Sequence, residues 1–388
     1  MIKKILIVLV FIILFFSLRK CFYHPSEERF SRAEKGKGNI VVGLIWDDYS
    51  EHSDFDEGAD VAVEELNGKG GVLGRKIRMV KYDEESLFTG GQVARRFARN
   101  PDMVAVIGHM YDDNATAASV VFERNQMVFL APFATIPDLT GCGLKYVFRN
   151  NPTDTDYARE IAKVMKSRGH ERVLIIDDNT LYGRALSKLL YSEANRQGLK
   201  IANHRSYSYR SIDQDFRPFI AALKELQFDT IFLAANMPLA AKLIKTAFQM
   251  GLRTPVFGGD ALESSELWGI AGPAAEGTVI PTTYNPHLPD PVIDFFKSRF
   301  FEKNKRYPGV DAAQGYDSMH LLAFSFEKSQ SIVPLSVSST MHFLENWHNV
   351  RGTYSLTQTG DEKGMPIYFK ILRQGKFEFL EESKGFKD

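Results

Sequence analysis

The chain has 388 residues, 44% of them hydrophobic and 25% charged, and its 48 basic and 48 acidic residues cancel. That length suits two domains of α/β size, each with a sizeable core, better than one. With the charges balanced, nothing suggests a nucleic-acid footprint or a polybasic membrane surface. The two cysteines, Cys21 and Cys142, lie too differently placed in the chain to suggest a structural disulfide.

Lys3 and Lys4 precede an apolar run over residues 5–18, and Arg19-Lys20 follow it. As a helix the run spans about 21 Å, short of the roughly 30 Å hydrocarbon core, which suits the apolar region of a secretory signal. No small-residue cleavage site follows, so residues 1–21 stand as a signal peptide or an uncleaved membrane anchor. Residues 22–38 are charged and poor in apolar side chains, and read as a tether.

From Asn39 onward short apolar runs alternate with helical patterns. Ile40–Trp46 reads as a strand, followed by an acidic loop and a helix with Phe55, Ala59, Ala62, Val63 and Leu66 on one face. Glycines at 68, 70 and 71 end that helix. Strands are expected at 77–82, 104–107 and 128–130, with helices near 92–99 and 114–124 between them. After the break at Asn150-Asn151-Pro152 come a helix over 157–167, a strand at 173–176 and a helix following Tyr182-Gly183. Further strands are expected at 230–233, 256–257 and 278–280, with helices over 216–226 and 238–250. The last forty residues read as β structure and turns. The alternation predicts α/β architecture with parallel sheets covered on both faces, in two lobes.

In doubly wound sheets the ligand sits beyond the carboxyl ends of the strands. That rule singles out the loops 46–53, 108–115, 132–135, 177–182, 234–237 and 258–261. Catalytic and cofactor signatures are missing: the sequence has no GxGxxG, Walker loop, HExxH, CxxC or GxSxG, and its nine histidines show no metal-ligand spacing. No catalysis, cofactor or metal is therefore expected. Of the paired acids Asp47-Asp48 and Asp112-Asp113, each is expected to supply one site residue and one solvated neighbour.

The stretch from Gly58 to Ile77, with its Asn67-Gly68-Lys69-Gly70-Gly71 turn, and Tyr82-Asp83-Glu84 after it, resembles the leucine/isoleucine/valine-binding proteins, the type I periplasmic receptors of ABC transporters. Residues 104–109, Asp178 to Gly183, Phe257-Gly258-Gly259-Asp260 and 270–277 match in order. The resemblance implies two doubly wound parallel-sheet lobes joined by a three-segment hinge. Lobe one would comprise 39–152 and 283–352, and lobe two 153–282 and 353–388. It also implies an extracytoplasmic receptor that closes on an amino acid, amide or amine-like metabolite and delivers it to an ABC permease. A membrane-anchored sensor that signals by closure is the alternative.

Relatives hold the ligand carboxylate where a hydroxyl residue opens a helix, and that position here is Asp112. A second contact falls at Thr135 in the run Pro132-Phe133-Ala134-Thr135, with Ala134 lining it. Asp260 matches the acid that meets the ligand ammonium, and Tyr182 and Tyr316 match aromatic walls. A tyrosine usual in the family is replaced near Asn236-Met237, and Trp46 is a further candidate wall. With an acid at Asp112 the resemblance predicts that a plain leucine-like zwitterion is not held in the usual manner.

Overall fold

The segment that composition marks as a tether is, in its described part, a docked helix. The computed structural model describes residues 25–46, 53–84, 89–208 and 215–381. Helix α1 (Pro25–Lys35) carries Glu27 and Glu28 in its first turn and Arg32 and Lys35 in its last, the charge order that suits the helix dipole. Its Arg29 is only 1% exposed. The guanidinium donates to the carbonyls of Ala98 at 2.6 Å, Met103 at 2.6 Å and Asn125 at 2.7 Å. The tether reading of 22–38 is thus corrected for residues 25–35, because backbone carbonyls remote in sequence satisfy a charge that local composition assigns to solvent. The candidate signal or anchor and Cys21 lie outside the described residues. Among the described residues no helix is long and apolar enough to cross a membrane.

The apolar segments that follow build the first sheet. Strand β1 (Ile40–Trp46) is buried at every position. Val41 and Ile45 face one layer of helices, while Ile40, Val42, Leu44 and Trp46 face the other. After α2 (Phe55–Gly68) come β2 (Ile77–Asp83), α3 (Gly90–Ala98), β3 (Met103–Ile107), α4 (Asp112–Arg124), β4 (Val128–Ala131), the short α5 (Asp138–Gly141) and β5 (Val147–Arg149). The strands pair in parallel in the order β2-β1-β3-β4-β5. Ala98 and Asn125 end α3 and α4, so Arg29 sets its charge against two helix C-termini.

The second sheet repeats the scheme. Its elements are α6 (Asp154–Ser167), β6 (Arg172–Asp177), α7 (Leu181–Arg196), β7 (Lys200–Ser206), α8 (Arg217–Leu223), β8 (Thr230–Ala234), α9 (Leu239–Gln249), β9 (Val256–Gly258), α10 (Glu266–Ala271) and β10 (Val279–Thr282). The chain then supplies α11 (Pro291–Asn304), α12 (Val310–Ser329) and α13 (Pro334–Met341) to the first lobe. It continues into β11 (Trp347–Asn349), β12 (Gly352–Leu356) and β13 (Glu362–Lys363), an antiparallel sheet of their own. Finally β14 (Tyr368–Arg373) and β15 (Lys376–Phe379) add antiparallel to β10, giving the order β15-β14-β10-β9-β8-β6-β7.

Three passages join the lobes. The first runs through Asn150 and Asn151, both fully buried, between β5 and α6. The second lies between Thr282 and Tyr284, whose ring already packs in the first core. The third differs from the expected Gly352-Thr353. Tyr354, Leu356 and Met365 pack in the first lobe and Phe369 and Ile371 in the second, so the crossing falls between Met365 and Tyr368. Residues 353–365 therefore belong with lobe one. Beneath the passages Arg351 donates to Asp317 at 3.3 Å, and Tyr354 donates to the same carboxylate at 2.9 Å.

Helices α2 and α12 approach so closely that a Cβ on Gly58 would stand 2.0 Å from the Ala312 carbonyl, and one on Gly315 2.0 Å from that of Phe55. Asp54, just before α2, accepts from Gly309 N at 2.9 Å and Ala312 N at 2.7 Å, and so caps α12 rather than its own helix. This packing brings Asp311, in the first turn of α12, towards the second lobe.

Candidate functional site

The loops after β3 and β4 meet those after β6 and β9, and acids dominate the meeting place. Asp112 opens α4 and is buried. Its Oδ1 accepts from Thr135 N at 2.9 Å and Ile136 N at 3.3 Å, while Oδ2 has no hydrogen-bond partner. Burial pushes the carboxyl up to about 6, although the Ile136 and Thr135 N–H groups and the Arg149 charge pull the other way. Ala134 and Thr135 are buried in the same turn. The Thr135 carbonyl accepts from Asp154 N at 2.8 Å, tying this turn to the start of α6 in the second lobe.

Across the gap, the Tyr182 hydroxyl donates to Asp260 Oδ1 at 3.0 Å. Gly259 makes that bond possible, since a Cβ there would lie 2.0 Å from the tyrosine oxygen. Asp260 keeps some exposure at the mouth of the gap while protein surrounds it on most sides. Burial, with the Asp112 charge adding to it against the Tyr182 hydrogen bond, pushes Asp260 up to about 7. Asp154 is wholly buried, and neither carboxyl oxygen has a partner within hydrogen-bond distance, although the Thr135 hydroxyl lies near enough to act on it. Burial and then the charge of Asp112 hold it well above the usual carboxylate range, an effect that the nearby Thr135 hydroxyl only moderates. Asp311 is pushed up to about 8 by burial and then by Asp54 and Glu263.

The remaining expected residues lie elsewhere. Asn236 braces the floor: its backbone N and its Nδ2 each donate to Asp178 Oδ2 at 2.8 Å. Tyr316 belongs to the core of lobe one, stacked on Phe296 with centroids 4.5 Å apart and donating to Glu65 at 2.6 Å. The structure does not bring it to the acids, because the tight α2–α12 contact turns it inward. Trp46 also packs in that core, with the Lys81 ammonium 5.7 Å from its ring centroid. Asp47 and Asp48 lie outside the described residues. Asp113, expected to be merely solvated, accepts from Leu181 N at 3.2 Å and so bonds α4 of one lobe to α7 of the other. Composition gave no sign of Asp154 or Asp311. The available signal was the Thr153–Asp156 capping box, which starts α6 and so fixes where Asp154 falls. A cavity of about 560 Å³ between α9 and the amino ends of β8 and β9, lined by His170, Phe248 and Pro273 among others, holds none of these acids.

Two α/β lobes, three passages and a polar gap between strand ends define an architecture, and the comparisons give it a family. A family model described as periplasmic binding protein matches residues 40–375. The chain belongs to that family. The Leu/Ile/Val-binding protein of Escherichia coli K12 is 28% identical over 67% of this chain and 71% of its own length. An ABC transporter substrate-binding protein from Desulfitobacterium hafniense, in complex with Leu, is 31% identical. It superposes with a TM-score of 0.79 over 88% of this chain and all of its own. A leucine binding protein from Thermotoga maritima, 23% identical, shares the fold with a TM-score of 0.80 over 88% of this chain and 97% of its own. These relatives are binding proteins rather than enzymes.

The raised acids make this periplasmic binding protein sensitive to pH in a definite direction. In the unfolded chain Asp112, Asp260 and Asp311 titrate near 3.8, and in the folded protein near 6, 7 and 8. Above about pH 4 the folded state therefore holds protons that the unfolded chain has shed, and stability falls as pH rises through these values. The melting temperature without added ligand is expected to drop between pH 5 and pH 8.5. A flat or rising curve over that interval would contradict the assignment.

Proposed function

We propose that the chain is an extracytoplasmic receptor that captures a small polar metabolite by lobe closure and delivers it to the permease of an ABC transporter, without turning it over. One observation carries the reading: Asp112 and Thr135 of one lobe stand opposite Asp260 and Tyr182 of the other, with the Leu181–Asp113 bond crossing between them. A ligand stabilises closure only through contacts with both lobes, and this arrangement offers contacts from each. The likeness to a protein described as an ABC transporter substrate-binding protein favours delivery over the sensing alternative. The apolar run at 5–18 would carry the chain out of the cytoplasm, and if uncleaved would hold it at the membrane.

Small-angle scattering of the full chain with saturating leucine, leucinamide or putrescine tests the reading. Whichever of these raises the melting temperature should reduce the radius of gyration, with bending at 150–153, 282–284 and 366–367. The bound probe should be recovered chemically unchanged. An unaltered scattering profile at saturation, or conversion of the probe at enzyme-like rates, would count against it.

A further inference from the structure

We infer that the cleft is built for an organic cation that lacks a carboxylate, an amine or amidine whose charge lies between the Asp112–Asp154 pair and Asp260. The inference rests on the receptor reading and narrows it to a ligand class.

The seat a ligand carboxylate would need is occupied by the protein itself. Asp112 Oδ1 takes the Thr135 and Ile136 N–H groups, so an incoming carboxylate would find those donors committed and a like charge beside them. What the cleft offers is acceptors. Asp154 is wholly buried and protonated, with no partner at hydrogen-bond distance beyond the influence of the nearby Thr135 hydroxyl, and Asp112 Oδ2 is an acceptor without a partner. Buried acceptors left unmade are costly, and a donor-rich ligand removes that cost.

The protein cation that acts on both acids, Arg149, is already spent. It donates to Asp361 Oδ1 at 2.8 Å, to the Ile136 carbonyl at 2.6 Å and to Thr140 Oγ1 at 3.1 Å. Among the described residues no three His, Cys, Asp or Glu side chains stand close enough to share one metal ion.

The groups facing this site are Asp113 on α4, Arg149 at the end of β5, Asp154 and Tyr157 on α6, the latter under the charge of Arg351, Tyr182 on α7, Asp260 and Glu263 after β9, the latter ion-paired with Lys370 of β14, and Asp311 on α12. Acids outnumber bases among them. A cation entering the site displaces protons from Asp112 and Asp260, so its affinity rises with pH across the interval where they titrate, by about tenfold per pH unit for each proton released.

The test is calorimetric titration of the full chain with leucine, leucinamide, isovalerate, putrescine and agmatine. Leucinamide or one of the two amines is expected to bind at least tenfold more tightly than leucine, and putrescine more tightly at pH 8 than at pH 6. Asp112→Asn keeps an acceptor for Thr135 N but removes the charge, and should weaken amine binding at least tenfold without lowering the melting temperature. Leucine or isovalerate binding as tightly as the amines would overturn the cation class while leaving the receptor reading standing. Amine affinity unaltered in Asp112→Asn would also overturn it. Failure of every probe to bind would count against both readings.

Discussion

Asp112→Ser is expected to give this protein an affinity for leucine at least a hundredfold above that of the unmodified chain. The substitution removes a charge that repels the ligand carboxylate and releases two N–H donors, Thr135 N and Ile136 N. It also leaves a hydroxyl at the start of α4, where the helix dipole favours an anion. A charge-assisted hydrogen bond contributes about 1.5–3 kcal/mol. Two such bonds more than cover a hundredfold change, which needs about 2.8 kcal/mol. Serine is smaller than aspartate and is itself a good residue for a helix start, so the fold should tolerate it. Calorimetry with leucine reads the gain directly. If leucine binds the variant no better than the parent, Asp112 is not what bars zwitterions.

The second large effect is expected far from the cleft. Arg29→Ala should destabilise the first lobe by about 3–5 kcal/mol, because it leaves the carbonyls of Ala98, Met103 and Asn125 without the donor that now satisfies them. At roughly 2–4 °C per kcal/mol for a unit of this size, the melting temperature should fall by about 10 °C. Arg29→Lys should not restore it, since one ammonium cannot reproduce the flat fork that reaches three carbonyls. Arg32→Ala is the control: its ion pair with Asp102 is exposed and should contribute less than about 1 kcal/mol. A small effect at Arg29, matching that at Arg32, would show that α1 is not held as described.

The fold was legible where burial and period coincide. β1, β3, β4, β6 and β8 are continuous apolar runs because helices cover both faces of each sheet, and that pattern survives in the sequence. α12 carries no legible helical period because it is buried nearly all round and has no polar face to set one. β7 shows no strand pattern for the opposite reason: as an edge strand its residues, Lys200 to Ser206, are mostly polar and partly exposed. The candidate site was half legible. Resemblance leads to Asp112, Thr135, Tyr182 and Asp260, which the fold brings together, and also to Tyr316, which it places in a core, as it does Trp46, a candidate from its own strand-end position. Asp154 and Asp311 depend on how the lobes and helices face each other, a relation between distant segments that no local pattern encodes. Arg29 is the same case at the other end of the lobe.

The bond from Leu181 N to Asp113 joins protein to protein and uses no ligand atom. Closure therefore draws part of its free energy from the receptor itself. A contribution of about 1 kcal/mol shifts the ratio of closed to open forms about fivefold. Apparent affinity scales with the fraction of molecules already in the binding-competent form. The bond thus strengthens binding of every ligand by the same factor and favours none over another. On the proposed reading, strength and selectivity would be divided between neighbouring carboxylates on one helix, Asp113 bearing on the first and Asp112 on the second.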